Sequence, residues 1–202
     1  VFIFIAIVML FYAGLKLRYF VIAAGGFAAA SPLLWFFVLD TFQKNRIRVF
    51  LNPEADPSGS GYNVIQSKLA VGAGEIFGKG LFKGTQIQLN YLPGKHTDFI
   101  FAVAGEELGF VGCLLVILLL GYIVFRIVKG ATTVKSSAGG LICMGVAAMI
   151  IFQSFENIGM SIGIMPVTGI PLPFFSYGGS SIITTFISMG LVLSILRRRE
   201  NF

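Results

Sequence analysis

One stretch of the sequence places a histidine and a carboxylate where a polar region meets an apolar one. His96 and Asp98 directly precede a long apolar run that begins at Phe99. Either side chain could act as a general base toward a hydroxyl group of a bound substrate. Each also has a simpler explanation: an acid in the first turn of a helix caps free N–H groups and favours the helix dipole, and an interfacial histidine often only forms a hydrogen bond. The residues alone favour the simpler explanation for both.

Three more carboxylates, Glu106, Glu107 and Glu156, fall within apolar runs, where ionisable side chains are rare and often functional. In a continuous helix, Glu106 would lie about 12 Å along the axis from Asp98, at roughly 1.5 Å per residue. The paired carboxylates of inverting glycosidases are about 6.5–9.5 Å apart, so Asp98 and Glu106 do not fit that mechanism. For Glu156 we expect an interhelical hydrogen bond.

Lysines and glycines alternate after a turn-rich segment at 52–61. Lys68, Lys79 and Lys83 could supply positive charge to a phosphate-bearing ligand. Alternatively, the glycines between 72 and 84 let a re-entrant segment lie close to the membrane surface. Gly78-Lys79-Gly80 does not make a phosphate loop, because the loop motif requires a glycine at position 73 and a serine or threonine at position 80.

A proline-rich connection at 165–173 precedes the run Ser176-Tyr177-Gly178-Gly179-Ser180-Ser181. Its three prolines exclude a regular helix. The small residues that follow either permit close helix packing or open a helix whose N–H groups hold an anion. The residues leave both explanations open.

Membrane-spanning helices must position these residues, because the composition is that of a membrane protein. Hydrophobic residues make up 56% of the 202 residues and charged residues 12%, against about 25% charged in soluble domains. Cys113 and Cys143 lie in apolar runs and are expected to be buried hydrophobes, not a disulfide or metal framework. One histidine excludes a His-rich metal site. The net charge of +6 does not indicate nucleic acid, because the basic residues flank apolar runs.

An all-α, polytopic helical bundle forming a single membrane domain over residues 1–202 is predicted. A span needs roughly 20 apolar residues. The predicted spans are about 1–15, 19–39, 99–125, 138–164 and 174–196, with one long extracytoplasmic loop at 40–97. The chain begins apolar, without a basic stretch, so we interpret Val1 as the interior of a span and the chain as a C-terminal fragment.

Basic residues orient the spans. Alternate connections would hold Lys16 and Arg18, then Arg126, Lys129 and Lys135, then the tail at 197–199. The positive-inside rule makes these connections cytoplasmic, so the C-terminus is predicted inside. The long loop also contains lysines and arginines, but the rule is weak for loops near that length.

Three blocks of residues resemble the RodA/FtsW/SpoVE family. One is His96–Val103 followed by Glu106-Glu107-Leu108-Gly109, and another is Pro171–Ser181. A third, spread over Asn52–Gln86, looks more like the RodA branch than the FtsW branch. The blocks extend over most of the chain after Asn52, and the flanking apolar runs suit the family topology.

The resemblance implies a peptidoglycan glycosyltransferase of the bacterial cell membrane, which polymerises lipid II during elongation or division and releases undecaprenyl diphosphate. Family members are similar in having ten spans with both ends in the cytoplasm, so this chain would hold spans six to ten. The catalytic role of the family's loop aspartate carries over to Asp98, as general base. A class B penicillin-binding protein, a transpeptidase, is the implied partner, besides lipid II and membrane lipids.

Several residues are further candidates for binding the substrate. They are Lys68, Lys79, Gln86, His96, Ser176, Tyr177, Gly178, Gly179 and Ser180. A divalent cation, Mg²⁺ or Mn²⁺, could help to balance the diphosphate; no organic cofactor is expected. Glu156 departs from the family pattern.

Two other functions stay open at this stage. A transporter that flips the lipid precursor would suit broken helices with polar groups at mid-membrane, with Gln153, Glu156 and Asn157 lining the path. A non-catalytic scaffold for the transpeptidase is the other. A transporter should depend on Glu156 and an enzyme on Asp98.

Overall fold

The computed structural model describes residues 1–56, 59–89 and 91–198, and every regular element in these ranges is a helix. This confirms the predicted all-α class. The α-helices are α1 (Phe2–Tyr12), α2 (Leu17–Phe37), α3 (Thr41–Leu51), α4 (Ser60–Ala73), α5 (Thr85–Gln88), α6 (Ile100–Ala131), α7 (Ser137–Ile162) and α8 (Gly179–Arg198), with a 3-10 turn at Pro53–Ala55.

Three of these helices, α6, α7 and α8, are long and apolar enough to cross a membrane, and α1 and most of α2 are shorter apolar helices. Helix α6 is longer than the predicted span at 99–125, since it continues to Ala131. The described part of the chain is therefore a polytopic membrane bundle.

Small residues on α7 allow its neighbours to approach closely. Gly140 and Gly145 face Tyr12 and Met9 of α1, so that a Cβ at Gly145 would lie 3.2 Å from the sulfur of Met9. Elsewhere on α7, Cys143 is fully buried in a core shared with α6 and α8. Cys113 is buried in a second core, and both cysteines are free, as the sequence predicted.

The long loop between α2 and α6 contains helical structure of its own. Helix α4 lies against α6 and α7. The hydroxyl of Ser67 donates to the carbonyl of Ser161 at 2.7 Å, and Val71 packs against Gly105. The loop is thereby attached to the two central helices.

Helix α6 is broken at Gly109, whose φ of 66° and ψ of −165° are not helical. A segment of the long loop, 75–80, inserts at the break. Four backbone hydrogen bonds replace the helical ones: Phe110 N to Glu75 O (2.9 Å), Val111 N to Ile76 O (3.1 Å), Lys79 N to Glu106 O (2.9 Å) and Gly80 N to Glu107 O (3.0 Å). The backbone groups freed by the break are thus paired, as a membrane environment requires.

Candidate active site

Asp98 lies immediately before the start of α6 but does not cap it. The N-cap residue is Phe99, which makes no side-chain cap hydrogen bond. Among the described residues, the carboxylate of Asp98 accepts no hydrogen bond, although the side chain is half-buried. Asp98 is therefore not the N-cap residue of α6.

Two glycines, Gly169 and Gly94, lie next to this carboxylate, and each is called a glycine wall below. A Cβ built on Gly169 would lie 3.5 Å from Oδ2 of Asp98, and one on Gly94 would lie 3.8 Å away. Both glycines have positive φ, 74° and 69°, a conformation that other residues rarely adopt. No side chain therefore projects from these two positions over the acid, which keeps it accessible to a ligand.

The backbone before Asp98 is held by Ser176 and Tyr177, which lie just before the start of α8. The amide of Tyr177 donates to the carbonyl of His96 at 2.8 Å. The hydroxyl of Ser176 donates to the carbonyl of Thr97 at 2.6 Å and accepts from the amide of Leu172 at 2.7 Å. These bonds explain why the small, polar Ser176 is almost fully buried: it joins the proline-rich connection to the loop that carries Asp98.

The carbonyl of Asp98 itself is bound by Asn157 of α7. The Nδ2 atom of Asn157 donates to Asp98 O and to Ile170 O, both at 2.8 Å. The carbonyls of three consecutive residues, 96 to 98, are thus fixed by residues distant in sequence. Sequence reasoning named Asn157 only for a transport path and missed this contact, because nothing local indicates its partners.

The connection opposite Asp98 is fixed from two further sides. Arg46 of α3 donates to the carbonyl of Val167 at 2.8 Å. The hydroxyl of Thr168 donates to Oε1 of Glu156 at 2.9 Å. Glu156 therefore bonds to a loop, where an interhelical bond was expected, and it helps to hold the wall that contains Gly169.

A second polar cluster surrounds Glu106, which is completely buried. Its Oε1 atom accepts from Lys79 Nζ at 2.9 Å, from Thr85 Oγ1 at 3.0 Å and from the amide of Gln86 at 3.1 Å. The Lys79 ammonium also donates to Thr85 at 2.7 Å. This ion pair attaches the loop beside the break in α6, and among the described residues no hydrogen bond or ion pair links it to Asp98.

The other residues predicted to bind the substrate lie at several places in the structure. The side chain of Lys68 packs against Gly163 at the end of α7. His96 is exposed, and Tyr177 is 76% exposed. Gly179 begins α8, with Gly178 just before it and Ser180 exposed in its first turn. The structure thus brings His96, Ser176 and Tyr177 to the Asp98 loop and places Lys79 and Gln86 at Glu106.

The described residues bring together no group of three or more His, Cys, Asp or Glu side chains that could hold a metal ion.

The Glu106 cluster leads to a prediction about Lys79. Replacing Lys79 with methionine should lower the free energy of unfolding by about 1–3 kcal/mol, because a buried carboxylate loses its charged partner. Thermal unfolding of the full-length protein in detergent measures this. The double variant Lys79→Met/Glu106→Gln should recover most of the loss. If the single variant is as stable as the wild type, the ion pair between Lys79 and Glu106 does not stabilise the fold.

A family model described as "Cell cycle protein", covering FtsW, RodA and SpoVE, matches residues 1–201. The chain belongs to the FtsW/RodA/SpoVE family. The family assignment confirms the resemblance carried by the blocks around Asp98 and Ser176, and it agrees with the three long apolar helices in making this a multi-pass membrane protein.

Individual members of the family show how far the similarity extends. The chain is 44% identical over 192 residues to "Peptidoglycan glycosyltransferase MrdB" of Escherichia coli (strain K12), covering 95% of this chain and 52% of that protein. It is 42% identical over 195 residues to "Probable peptidoglycan glycosyltransferase FtsW" of Geobacter sulfurreducens, covering 96% and 51%. The chain thus spans about half the length of these FtsW/RodA/SpoVE relatives.

A solved structure shares the fold. One of its chains superposes with a TM-score of 0.79 at 36% identity, over 98% of this chain and 54% of the other. That structure is described as "Structural coordination of polymerization and crosslinking by a peptidoglycan synthase complex". The arrangement of helices seen here is therefore shared with a chain of that complex.

Proposed function

We propose that the protein to which this chain belongs is a peptidoglycan glycosyltransferase that polymerises lipid II, with Asp98 as general base. One observation carries the proposal: a carboxylate without a hydrogen-bond partner among the described residues lies between two glycine walls, on a backbone held at three consecutive carbonyls. The names of the relatives support the reaction class.

The chemistry explains why one carboxylate is enough. A hydroxyl oxygen of one sugar forms a bond to the anomeric carbon of another, while the bond from that carbon to the diphosphate oxygen breaks. Asp98 accepts the hydroxyl proton, and the diphosphate leaves with the electron pair as undecaprenyl diphosphate. The hydroxyl is a poor nucleophile and needs a base within hydrogen-bond reach. The diphosphate is already a stable anion and needs no acid.

Positive groups would stabilise the leaving diphosphate. The first turn of α8 is adjacent to the Asp98 loop through the bond from Tyr177 to His96, and its free N–H groups favour an anion. Lys68 is exposed beside Gly163 and is a second candidate source of positive charge. A divalent cation is a further proposed source of charge. Lys79 would first have to leave Glu106.

The proposal includes the setting of the reaction. The substrate is a lipid in the bacterial cell membrane, and a base at the extracytoplasmic boundary of α6 meets the sugar of such a lipid. The C-terminus would then be cytoplasmic. The structural neighbour comes from a peptidoglycan synthase complex, which supports a transpeptidase, a class B penicillin-binding protein, as partner. Activity in elongation or in division is consistent with relatives named MrdB and FtsW.

Polymerisation and lipid flipping can be separated by experiment. The full-length protein, with its transpeptidase partner, is reconstituted in vesicles with lipid II, and glycan polymer and lipid translocation are both measured. We expect polymer from the wild type. Glu156→Gln should cost less than about tenfold, because an amide oxygen can still accept from Thr168 and one neutral hydrogen bond contributes about 0.5–1.5 kcal/mol.

If the wild type translocates lipid II without forming polymer, and Glu156→Gln abolishes this translocation, the protein is instead a transporter. If the wild type shows neither polymerisation nor translocation but activates the transpeptidase, the protein is a scaffold.

A further inference from the structure

Asn157, like Ser176, is a buried side chain that contacts both the Asp98 loop and the connection opposite it, but only Asn157 of these two bonds to the carbonyl of Asp98 itself. It has no exposed surface, and its two bonds reach 59 residues back to Asp98 and 13 residues forward to Ile170. Both N–H groups of its amide have short, charge-free acceptors at 2.8 Å. A side chain of this length with two N–H donors on one atom is found only in asparagine.

The orientation of the amide follows from its partners. If the amide were rotated, Oδ1 would face two carbonyl oxygens and neither could be satisfied. In the observed orientation Oδ1 is buried without a partner among the described residues, which itself costs free energy. The side chain therefore gives up one hydrogen bond to make the two that hold the backbone on either side of the acid.

These two bonds act at the place where the carboxylate is confined. One holds the carbonyl of Asp98, and the other holds the residue after Gly169, the glycine nearest to Oδ2 of Asp98. One planar amide group thus sets the separation between the acid and the wall it faces. Its neighbour Glu156 holds the same wall through Thr168 alone.

We propose that Asn157 is a positioning residue for Asp98: it fixes the distance between the base and the glycine wall across which the acceptor hydroxyl must approach. The inference rests on the proposed function, since it assigns Asn157 a role only through Asp98. A reacting group displaced by about 1 Å can lose about 10²-fold in rate. Removal of the amide donors should therefore act on kcat and leave binding of the distant lipid and diphosphate unchanged.

The matching variant is Asn157→Asp, which has the same shape but no N–H. Its carboxylate would face the carbonyls of Asp98 and Ile170 and release both. We expect kcat for lipid II polymerisation by the full-length protein with its partner to fall about 10- to 100-fold, with KM changed by less than about threefold. Asn157→Ser, with a single donor, should lose less, and it replaces Asn157→Asp if that variant does not fold.

A double-mutant cycle distinguishes positioning from general packing. If Asn157 acts through Asp98, Asn157→Asp should cause no further loss in an Asp98→Asn background, because effects through a shared group are not additive. Ser161→Ala is the control: Ser161 is equally buried on the same helix, and among the described residues its hydroxyl donates to the backbone carbonyl of Asn157, so the variant removes a hydrogen bond next to Asn157 without touching the side-chain amide. Its kcat should stay within about threefold of the wild type.

Three outcomes would overturn the inference. They are a wild-type kcat in both Asn157 variants, a full multiplicative loss in the Asp98→Asn background, and an equal loss in Ser161→Ala. All three leave the proposed function intact as long as Asp98→Asn alone is inactive. A fully active Asp98→Asn would overturn the proposed function and this inference together.

Discussion

Asp98→Asn is expected to lower the rate of lipid II polymerisation by about 10²- to 10⁴-fold, the usual contribution of a general base. Asparagine keeps the shape of the side chain but cannot accept the hydroxyl proton. Stability should not change, because the carboxylate caps no helix and accepts no hydrogen bond from a described residue. The measurement is glycan polymer formed per unit time by the full-length protein with its transpeptidase partner.

Asp40→Asn provides a control for this substitution. Asp40 is the exposed N-cap residue of α3 in the same long loop, and asparagine is an equally good N-cap. We expect this variant to polymerise like the wild type. Normal polymerisation by Asp98→Asn, with expression and partner binding intact, would remove Asp98 from the chemistry.

Gly109→Ala is expected to give the largest loss of stability. A φ of 66° with a ψ of −165° lies in a region open almost only to glycine, and another residue there costs about 1–3 kcal/mol. A Cβ would also collide with the amide of Gly78 and lie 2.6 Å from the carbonyl oxygen of Ile76, and overpacking adds about 1–3 kcal/mol. We expect the free energy of unfolding to fall by about 2–6 kcal/mol, seen as a lower melting temperature in detergent.

Gly121→Ala is the matched control for Gly109. It lies in the same helix with ordinary helical geometry, and a Cβ there would meet no atom within 4 Å. Its melting temperature should equal that of the wild type or exceed it slightly, because alanine favours helix. If the two variants melt at the same temperature, the break in α6 is not a feature of the folded protein.

The sequence predicted those features that depend on local composition. The apolar runs predicted as spans at 99–125 and 138–164 overlap α6 and α7, and the prolines at 166–173 correctly excluded a helix. The position of Asp98 at the start of an apolar run was also visible, because a boundary between polar and apolar residues is a local property. Its role as base stays a prediction.

Features that depend on contacts between distant residues were not predicted. A glycine such as Gly109 is tolerated in an apolar helix, so its positive φ becomes necessary only because residues 75–80 insert there. Lys79 was assigned to a phosphate, since its partner Glu106 is 27 residues away. Asn157 gave no sign that it binds Asp98 from another helix.

The break at Gly109 also decides how α6 fits the lipid bilayer. As one straight helix its 32 residues would extend about 48 Å, well beyond a hydrocarbon core of about 30 Å. The part after the break, 110–131, extends about 33 Å and matches that thickness. Tilting in a thinner or thicker membrane would therefore concern residues 110–131, while residues 100–108 form a separate helical segment, about 13 Å long, between that part and Asp98.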